Sequence, residues 1–127
     1  MAKQTVTKTK KPKRGEIWLV NFDPTIGSEI NKTRPALIIQ NDIANTYSPV
    51  TIVAAITTAI SGEKIYPTEV LIKTSATIGL KNNSLVLLNQ IRTIDKARLV
   101  KRLGAVPAPI LSQVGTAIEI SLDTIGI

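Results

Sequence analysis

Short apolar runs separated by turn residues are the feature of this sequence that most constrains its fold. The runs RPALIIQ (34–40) and VTIVAAIT (50–57) are almost continuously apolar. Runs of this kind, bounded by Gly, Pro, Asn and Ser, are typical of strands that are covered on both faces or closed into a barrel. Four further segments have a similar strand-like pattern: GEIWLVNF, TEVLIK, NSLVLLNQI and ARLVKRLGAV. The sequence therefore predicts roughly five to seven short antiparallel strands.

A helix is predicted near the C-terminal end of the chain. After Pro107 and Pro109, the spacing of the apolar residues places a stripe on one helical face. That stripe consists of Ile110, Leu111, Val114, Ile118 and Leu122. The sequence has no parallel βαβ pattern and no glycine-rich phosphate loop. The predicted fold is therefore mainly β with a C-terminal helix, arranged as a small barrel.

The composition removes several kinds of chemistry. The 127 residues are 43% hydrophobic, which fits one globular domain, and they include no cysteine and no histidine. Disulfides and thiol nucleophiles are therefore excluded, and zinc or serine-hydrolase chemistry is disfavoured. Any general acid or general base in this protein must therefore be a carboxylate, Tyr47, Tyr66, a lysine or solvent. Since no apolar run could span a bilayer or serve as a signal peptide, we expect a cytoplasmic protein with no membrane contact.

The net charge of +7 is concentrated at the N-terminal end. Residues 1–14 carry six basic and no acidic side chains, whereas residues 15–127 carry ten basic and nine acidic ones, which leaves +1. We predict that residues 1–13 form a disordered basic tail, either a solubilising extension or a weak attractor of phosphate. Residues 14–127 are predicted to be the folded domain. Its local basic excess, in residues 92–102, fits a solvated face or a nucleic-acid groove equally well.

Arg34 lies at the start of a predicted buried strand in the segment INKTRPALIIQND (30–42). Pro35 lacks an N–H and is tolerated at the first residue of a strand, so Arg34 is placed where a long loop meets that strand. Its guanidinium offers a planar set of donors suited to phosphate oxygens. The alternative is a surface arginine that pairs with Asp23 or Glu29.

Several ordered motifs together resemble one known family. RGEIWLVNFDPTIGSE, KTRPALIIQND, SPVTIVAAITT and LLNQIRTIDKARL are similar to the MazF/PemK family of toxin endoribonucleases from type II toxin–antitoxin systems. The resemblance implies an SH3-like barrel of the CcdB/PemK/MazF toxin type that acts as a homodimer. It also implies cleavage of single-stranded mRNA at short sequence motifs, without a metal or other cofactor. The implied partner is a MazE-like antitoxin, through which alone DNA would be bound.

The resemblance implies roles for three residues. The family's route is attack of the RNA 2′-hydroxyl on the adjacent phosphorus, which leaves a 2′,3′-cyclic phosphate and a 5′-hydroxyl. Arg34 matches the family's catalytic arginine, which would stabilise charge on the phosphoryl oxygens. Thr57 matches a catalytic threonine at the end of the following strand, although its β-branch suits a strand in any case. Glu29, in the loop before Arg34, either accepts the 2′-hydroxyl proton or pairs with the arginine.

Two positions depart from the family pattern. Ser28 stands where some members have a histidine before the glutamate, and Asn89 stands where some have an aspartate before the glutamine. Both departures remove acid–base groups. The catalytic interpretation therefore rests on the pair Arg34 and Thr57.

Contacts with RNA are predicted for a second set of residues. Recognition of unpaired bases needs hydrogen-bonding and stacking groups in an open groove. The predicted contacts are Asn31, Lys32 and Thr33 as a movable lid, Thr58 beside Thr57, Tyr66 as a stacking surface, Gln90 at a base edge and Arg92 at a phosphate. Tyr66 fits equally well as a cap on the barrel, Gln90 as a strand-end amide and Arg92 as a solvated cation.

Three functions compete at this point. The first is a sequence-selective endoribonuclease toxin. The second is a noncatalytic RNA-binding barrel in which Arg34 supplies affinity only, and the third is a toxin that poisons a protein target such as DNA gyrase on the same fold. The paired motifs around Arg34 and Thr57 favour RNA cleavage over gyrase poisoning. An activity test separates cleavage from simple binding.

Overall fold

An antiparallel sheet and two helices form the domain. The computed structural model describes residues 10–22 and 33–124. Within these residues the strands are β1 (Glu16–Asn21), β2 (Thr33–Ile38), β3 (Val50–Thr58), β4 (Glu69–Ile72), β5 (Ser84–Asp95) and β6 (Leu99–Ala105). The helices are α1 (Asp42–Tyr47) and α2 (Ala108–Ser121), with a short 3-10 turn (Lys96–Arg98) between β5 and β6. The predicted mainly β fold with a C-terminal helix is confirmed.

The sheet is open, which corrects the expectation of a closed barrel. Its strand order is β4-β5-β3-β2-β1-β6, so in the described part of the chain β4 and β6 form the two edges. The segment after β4 approaches β6, where the N–H of Ala105 donates to the Thr77 carbonyl at 3.0 Å. This bond brings the two edges near each other, but closure would require a continuous ladder between them.

Both faces of the central strands are covered. Leu37 of β2 packs in one apolar cluster with Val114 of α2. The neighbouring residues Ala36 and Ile38 point the other way and pack in a second cluster with Trp18. Because side chains alternate along a strand, two covered faces require an uninterrupted apolar run. The prediction of two covered sides is therefore confirmed for residues 36–40, whereas Arg34, near the start of the strand, is exposed.

Helix α2 lies against the first of these clusters. It begins after Pro107, and Val114 and Ala117 are its buried residues. The predicted stripe is confirmed for Ile110, Leu111 and Ile118, which pack at the edge of the same cluster. It is wrong at Leu122, whose side chain is 61% exposed. The reason is that the helix ends at Ser121, so Leu122 no longer follows the helical spacing.

Helix α1 is held on the sheet by a buried polar network. The side chain of Asn41 caps its first turn. Asn45, which is buried, accepts from Gln40 Nε2 at 3.0 Å and from Thr51 Oγ1 at 2.7 Å through its Oδ1 atom. The ammonium group of Lys96, also buried, donates to the Asn45 carbonyl. A buried polar group that loses its hydrogen-bond partner destabilises the folded state. These hydrogen bonds therefore fix the position of α1 on the sheet.

The N-terminal end of the described chain is packed against the domain. Pro12 is buried, and the N–H of Lys13 donates to Glu16 Oε1 at 2.8 Å. Residues 1–9, most of the predicted basic tail, lie outside the described residues, so the disordered tail stays a prediction. Across residues 10–22 and 33–124, neither helix has the length and apolarity that crossing a membrane requires.

Candidate active site

The ladder between β2 and β3 ends beside Pro35. The N–H of Ile39 donates to the Ile52 carbonyl at 2.9 Å, and Ala36 with Ala55 is the last pair before the ladder stops. Because the N–H groups that face one neighbouring strand recur at every second residue, the nitrogen of residue 35 also faces β3. Proline has no hydrogen to donate there, so the ladder loses a hydrogen bond at the position where its recorded pairs stop.

Arg34 and Thr57 lie opposite each other just beyond this point. Extending the β2–β3 register by two residues sets Arg34 across from Thr57. On their outer sides both strands remain paired, β2 with β1 as far as Thr33 and β3 with β5 as far as Thr58. The two residues are therefore held on rigid strands while the space between them is open. Both side chains are exposed.

Two clefts meet at Arg34. The first, which we call the polar cleft, has a volume of about 360 Å³ and includes the polar residues Arg34, Thr57, Thr58, Lys81, Asn82 and Ser84 in its lining. The second, which we call the apolar cleft, has a volume of about 230 Å³ and is lined by Arg34, Pro35, Phe22, Val53, Ala55, Ile56, Gln90, Ile91 and Arg92. Arg34 thus borders both spaces, and Thr57 borders the polar one.

The charge in both clefts is positive. Arg34 and Lys81 line the polar cleft, and Arg34 and Arg92 line the apolar cleft. Among the described residues that line either space, none carries a carboxylate. Fixed cations without a competing anion, at a concave surface, attract phosphate groups. The ion pairs of Arg34 with Asp23 or Glu29 that the sequence left open involve residues outside the described part of the chain.

The apolar cleft lies between the end of β1 and the middle of β5. The guanidinium carbon of Arg92 lies 5.1 Å from the centroid of the Phe22 ring. This cation–π contact gives Arg92 a partner, so it is more than a solvated cation. Gln90 is exposed at the same cleft. Phe22 was not recognised as a site residue in the sequence, where its position at the end of a strand was the only signal.

An irregularity in β5 positions Gln90. Ala54 of β3 pairs with Ile91, but the next residue, Ala55, pairs with Leu87. Three residues of β5, Leu88 to Gln90, are therefore extra relative to β3. Leu88 remains buried while Asn89 and Gln90 are exposed. Bulges of this kind commonly redirect side chains at functional sites.

The structure does not bring all predicted residues together. Thr58 lies in the polar cleft beside Thr57, and Thr33 is the first residue of β2. Tyr66 lines neither cleft; its ring is 54% exposed and lies 5.4 Å from the Lys64 ammonium. Glu29, Asn31 and Lys32 lie outside the described residues, and their roles stay predictions.

The basic cluster of residues 92–102 is largely structural. Lys96 is buried in the α1 network, Arg98 donates to the Asn21 carbonyl at 3.2 Å, and Arg102 pairs with Glu16 at 2.8 Å. A solvated face does not describe Lys96 and Arg98, which are buried and half-buried, whereas Arg102 is exposed. Arg92 alone in this set lines a cleft.

The sequence of this chain is similar to a known toxin family. A model of the family described as PemK-like, MazF-like toxin of type II toxin–antitoxin system matches residues 13–122. Endoribonuclease EndoA of Bacillus subtilis is 43% identical over 113 residues, which cover 89% of this chain and 96% of that protein. Endoribonuclease MazF of Staphylococcus saprophyticus is 46% identical over 110 residues, which cover 87% of this chain and 90% of that protein.

Solved structures of the same fold agree with this similarity. The Mycobacterium tuberculosis toxin MazF-mt6 has a TM-score of 0.69 and 27% identity, over 85% of this chain and 96% of that one. A MazE–MazF crystal structure from Deinococcus radiodurans has a TM-score of 0.70 and 27% identity, over 90% of this chain and 97% of that one. With a family match along most of its length and close curated relatives, the chain belongs to the PemK-like, MazF-like toxins of type II toxin–antitoxin systems.

Proposed function

We propose that this protein is an endoribonuclease toxin that cleaves single-stranded mRNA in the cytoplasm at short sequence motifs, without a metal. The names of the two curated relatives support ribonuclease activity. The observation that carries the proposal for this chain is the position of Arg34 and Thr57, opposite each other at an open, cationic cleft. A charged donor and a hydroxyl on neighbouring rigid strands suit a single phosphate group.

The proposed chemistry is an internal transfer at phosphorus. The RNA 2′-oxygen forms a bond to the adjacent phosphorus, and the bond from phosphorus to the 5′-oxygen breaks. The 2′-hydroxyl proton goes to a base, and the departing 5′-oxygen takes up a proton, which leaves a 2′,3′-cyclic phosphate and a 5′-hydroxyl. Arg34 donates to the phosphoryl oxygens as their negative charge increases. Thr57 donates to the same phosphate or orients the 2′-hydroxyl, and Glu29 is the proposed proton acceptor.

The apolar cleft is the proposed place for an unpaired base. Gln90 both donates and accepts hydrogen bonds, so it can read a base edge. Arg92, stacked on Phe22, is suited to a base plane or a neighbouring phosphate. Thr58, which lines the polar cleft, is a further proposed contact with RNA. Thr33, Asn31, Lys32 and Tyr66 are proposed contacts as well.

The proposed assembly is a homodimer that a MazE-like antitoxin inhibits. A solved relative is a complex of MazE with MazF. A cleft with exposed cations and no described carboxylate in its lining suits an acidic segment of a partner as well as it suits RNA. Contact with DNA would then be indirect, through the antitoxin.

A cleavage assay with chemical mapping of the new ends tests the proposal. Purified protein is incubated with a long single-stranded RNA in excess EDTA, beside Arg34→Ala and Arg102→Ala variants. The proposal predicts discrete cuts with cyclic-phosphate and 5′-hydroxyl ends and a rate about 10²- to 10³-fold lower for Arg34→Ala. Arg102, which pairs with Glu16 away from both clefts, should be dispensable.

Other outcomes of this assay would favour the competing functions. RNA that is bound but left intact would overturn cleavage in favour of an RNA-binding module. RNA that is neither bound nor cut would direct attention to a protein target. Cuts that require a divalent metal would refute the metal-free chemistry while leaving the nuclease assignment in place.

A further inference from the structure

Lys81 is a second cation in the polar cleft that neither the sequence motifs nor the proposed catalytic pair accounts for. It lines this cleft together with Arg34 and Thr57, and its side chain is exposed. Its neighbour Asn82 lines the same cleft and provides a side-chain amide. Since the described lining contains no carboxylate, the charge of Lys81 is available to an anionic ligand.

The backbone just after Lys81 is held by two hydrogen bonds to Asn83. The N–H of Thr74 donates to Asn83 Oδ1 at 2.8 Å, and the N–H of Ala59 donates to the Asn83 carbonyl at 2.8 Å. These bonds tie the segment between β4 and β5 to itself and to the end of β3. Lys81 therefore extends from a fixed base, which reduces the ordering that ligand binding would require.

Close packing against β6 fixes the other end of this segment. Ile78 is buried in the main apolar cluster. At Gly79, a Cβ atom would collide with the Leu103 carbonyl, and at Gly104 it would collide with the carbonyls of Thr77 and Ile78. Because the two glycines lack a Cβ atom, the backbone of this segment can lie directly against the backbone of β6. This contact fixes the segment before Lys81 against β6.

We propose that Lys81, with Asn82, binds the RNA phosphate next to the one that is cleaved. This inference rests on the proposed function, and it adds a subsite to the same cleft. Arg34 and Thr57 hold the scissile phosphate, and the RNA backbone then passes along the polar cleft over Thr58 to Lys81. The mobile ammonium of a lysine acts as a point charge for a phosphate, without the planar fork of an arginine. Such a contact holds substrate equally in the ground state and the transition state.

Steady-state cleavage of a long mixed-sequence RNA tests this role. Uniform binding affects KM and leaves kcat unchanged. We expect Lys81→Ala to raise KM roughly three- to tenfold with an unaltered kcat, and Lys81→Arg to restore most of the loss. Lys73→Ala is the matched control, because Lys73 is an exposed lysine of the same segment that lines a different depression beside α2.

Salt dependence provides the second measurement. Binding of the same RNA is measured in the cleavage-deficient Arg34→Ala background over a series of salt concentrations. For a single strand, each lost phosphate contact reduces the slope of log affinity against log salt by about 0.7. Lys81→Ala should reduce the slope by about this amount, whereas Lys73→Ala should not. Thermal unfolding of each variant, expected to be unchanged because both lysines are exposed, excludes a folding defect.

The outcomes separate this inference from the proposed function. If the wild type cleaves RNA and Lys81→Ala matches Lys73→Ala in KM and salt slope, the Lys81 subsite is refuted and the nuclease stands. If Lys81→Ala instead lowers kcat at constant KM, Lys81 acts on the scissile phosphate and the assignment to a neighbouring phosphate is wrong. If the wild type neither binds nor cleaves RNA, both proposals fail together.

Discussion

Arg34 and Thr57 face each other across a point where β2 and β3, two central strands of the sheet, separate. The separation follows from Pro35, whose missing N–H falls on the side of β2 that faces β3. Both strands remain paired with their outer neighbours beyond this point. Among the described residues, an opening between two central strands, with a cation on one side and a hydroxyl on the other, therefore follows from the backbone of the sheet.

The hydroxyl of Thr57 should contribute to the chemical step and little to stability. Thr57→Val keeps the β-branch that suits a strand and removes only the hydroxyl. A hydrogen bond to a charged group is worth about 1.5–3 kcal/mol, so the single-turnover cleavage rate should fall roughly 10- to 100-fold. Thr57→Ser should retain most activity. A Thr57→Val rate equal to that of the wild type would show that the side chain serves the strand alone.

Glu29 should define the acidic limb of the pH–rate profile if it is the proton acceptor. A general base must be deprotonated to act, so the rate of the wild type should rise with pH until the carboxyl has ionised. Glu29→Gln should lower the rate and abolish that rise. The measurement is the single-turnover rate across pH for both proteins. A near-normal Glu29→Gln rate at every pH would reject Glu29 as the essential base.

Gly104 should be sensitive to the addition of one methyl group. A Cβ atom there would collide with the backbone carbonyls of Thr77 and Ile78, so Gly104→Ala should destabilise the fold by about 1–3 kcal/mol or more. Gly115 in α2 provides the control, since a Cβ atom there would meet no atom within 4 Å. Gly115→Ala should stabilise by about 0.5–1 kcal/mol. Denaturant unfolding measures both, and equal midpoints for the two variants would contradict the packing account.

Asp42 should make stability depend on pH in the acidic range. The Arg14 backbone N–H, 2.7 Å from Asp42 Oδ1, and then the Asn45 side chain lower the pKa of this carboxyl. A lowered pKa in the folded state stabilises the protein above the ordinary carboxyl pKa of about 4. That contribution disappears as pH falls through the lowered value. Asp42→Asn should therefore be less stable than the wild type near neutrality, with a difference that shrinks in acid. A difference that is constant across pH would refute this linkage.

Local patterns in the sequence were sufficient for much of the fold. The near-continuous apolar run around Leu37 predicted a strand with two covered faces. The apolar spacing from Ile110 onward predicted α2, which begins two residues earlier, at Ala108. These features depend on neighbours along the chain, which a single sequence displays directly. Arg34 and Thr57 were placed on their strands for the same reason, with the family resemblance adding their roles.

Features that depend on contacts between distant segments were not predictable in this way. The open edges of the sheet, the extra residues before Ile91 in β5 and the burial of Lys96 all arise from pairings far apart in sequence. Lys81 has no local signal, because an exposed lysine in a polar turn is ordinary until the fold places it in a cleft with Arg34. Phe22 likewise has no local signal in the sequence, because its part in the site depends on the contact with Arg92.

The central claim is that Arg34 and Thr57 act on one phosphate. The single-turnover cleavage rate of Arg34→Ala, Thr57→Val and the double variant tests it most directly, because residues that act as a unit give non-additive losses. We predict that each single change slows cleavage and that the double variant is little slower than Arg34→Ala alone. Losses that multiply in full would show that the two side chains act independently. A wild-type rate in Arg34→Ala would contradict the account altogether.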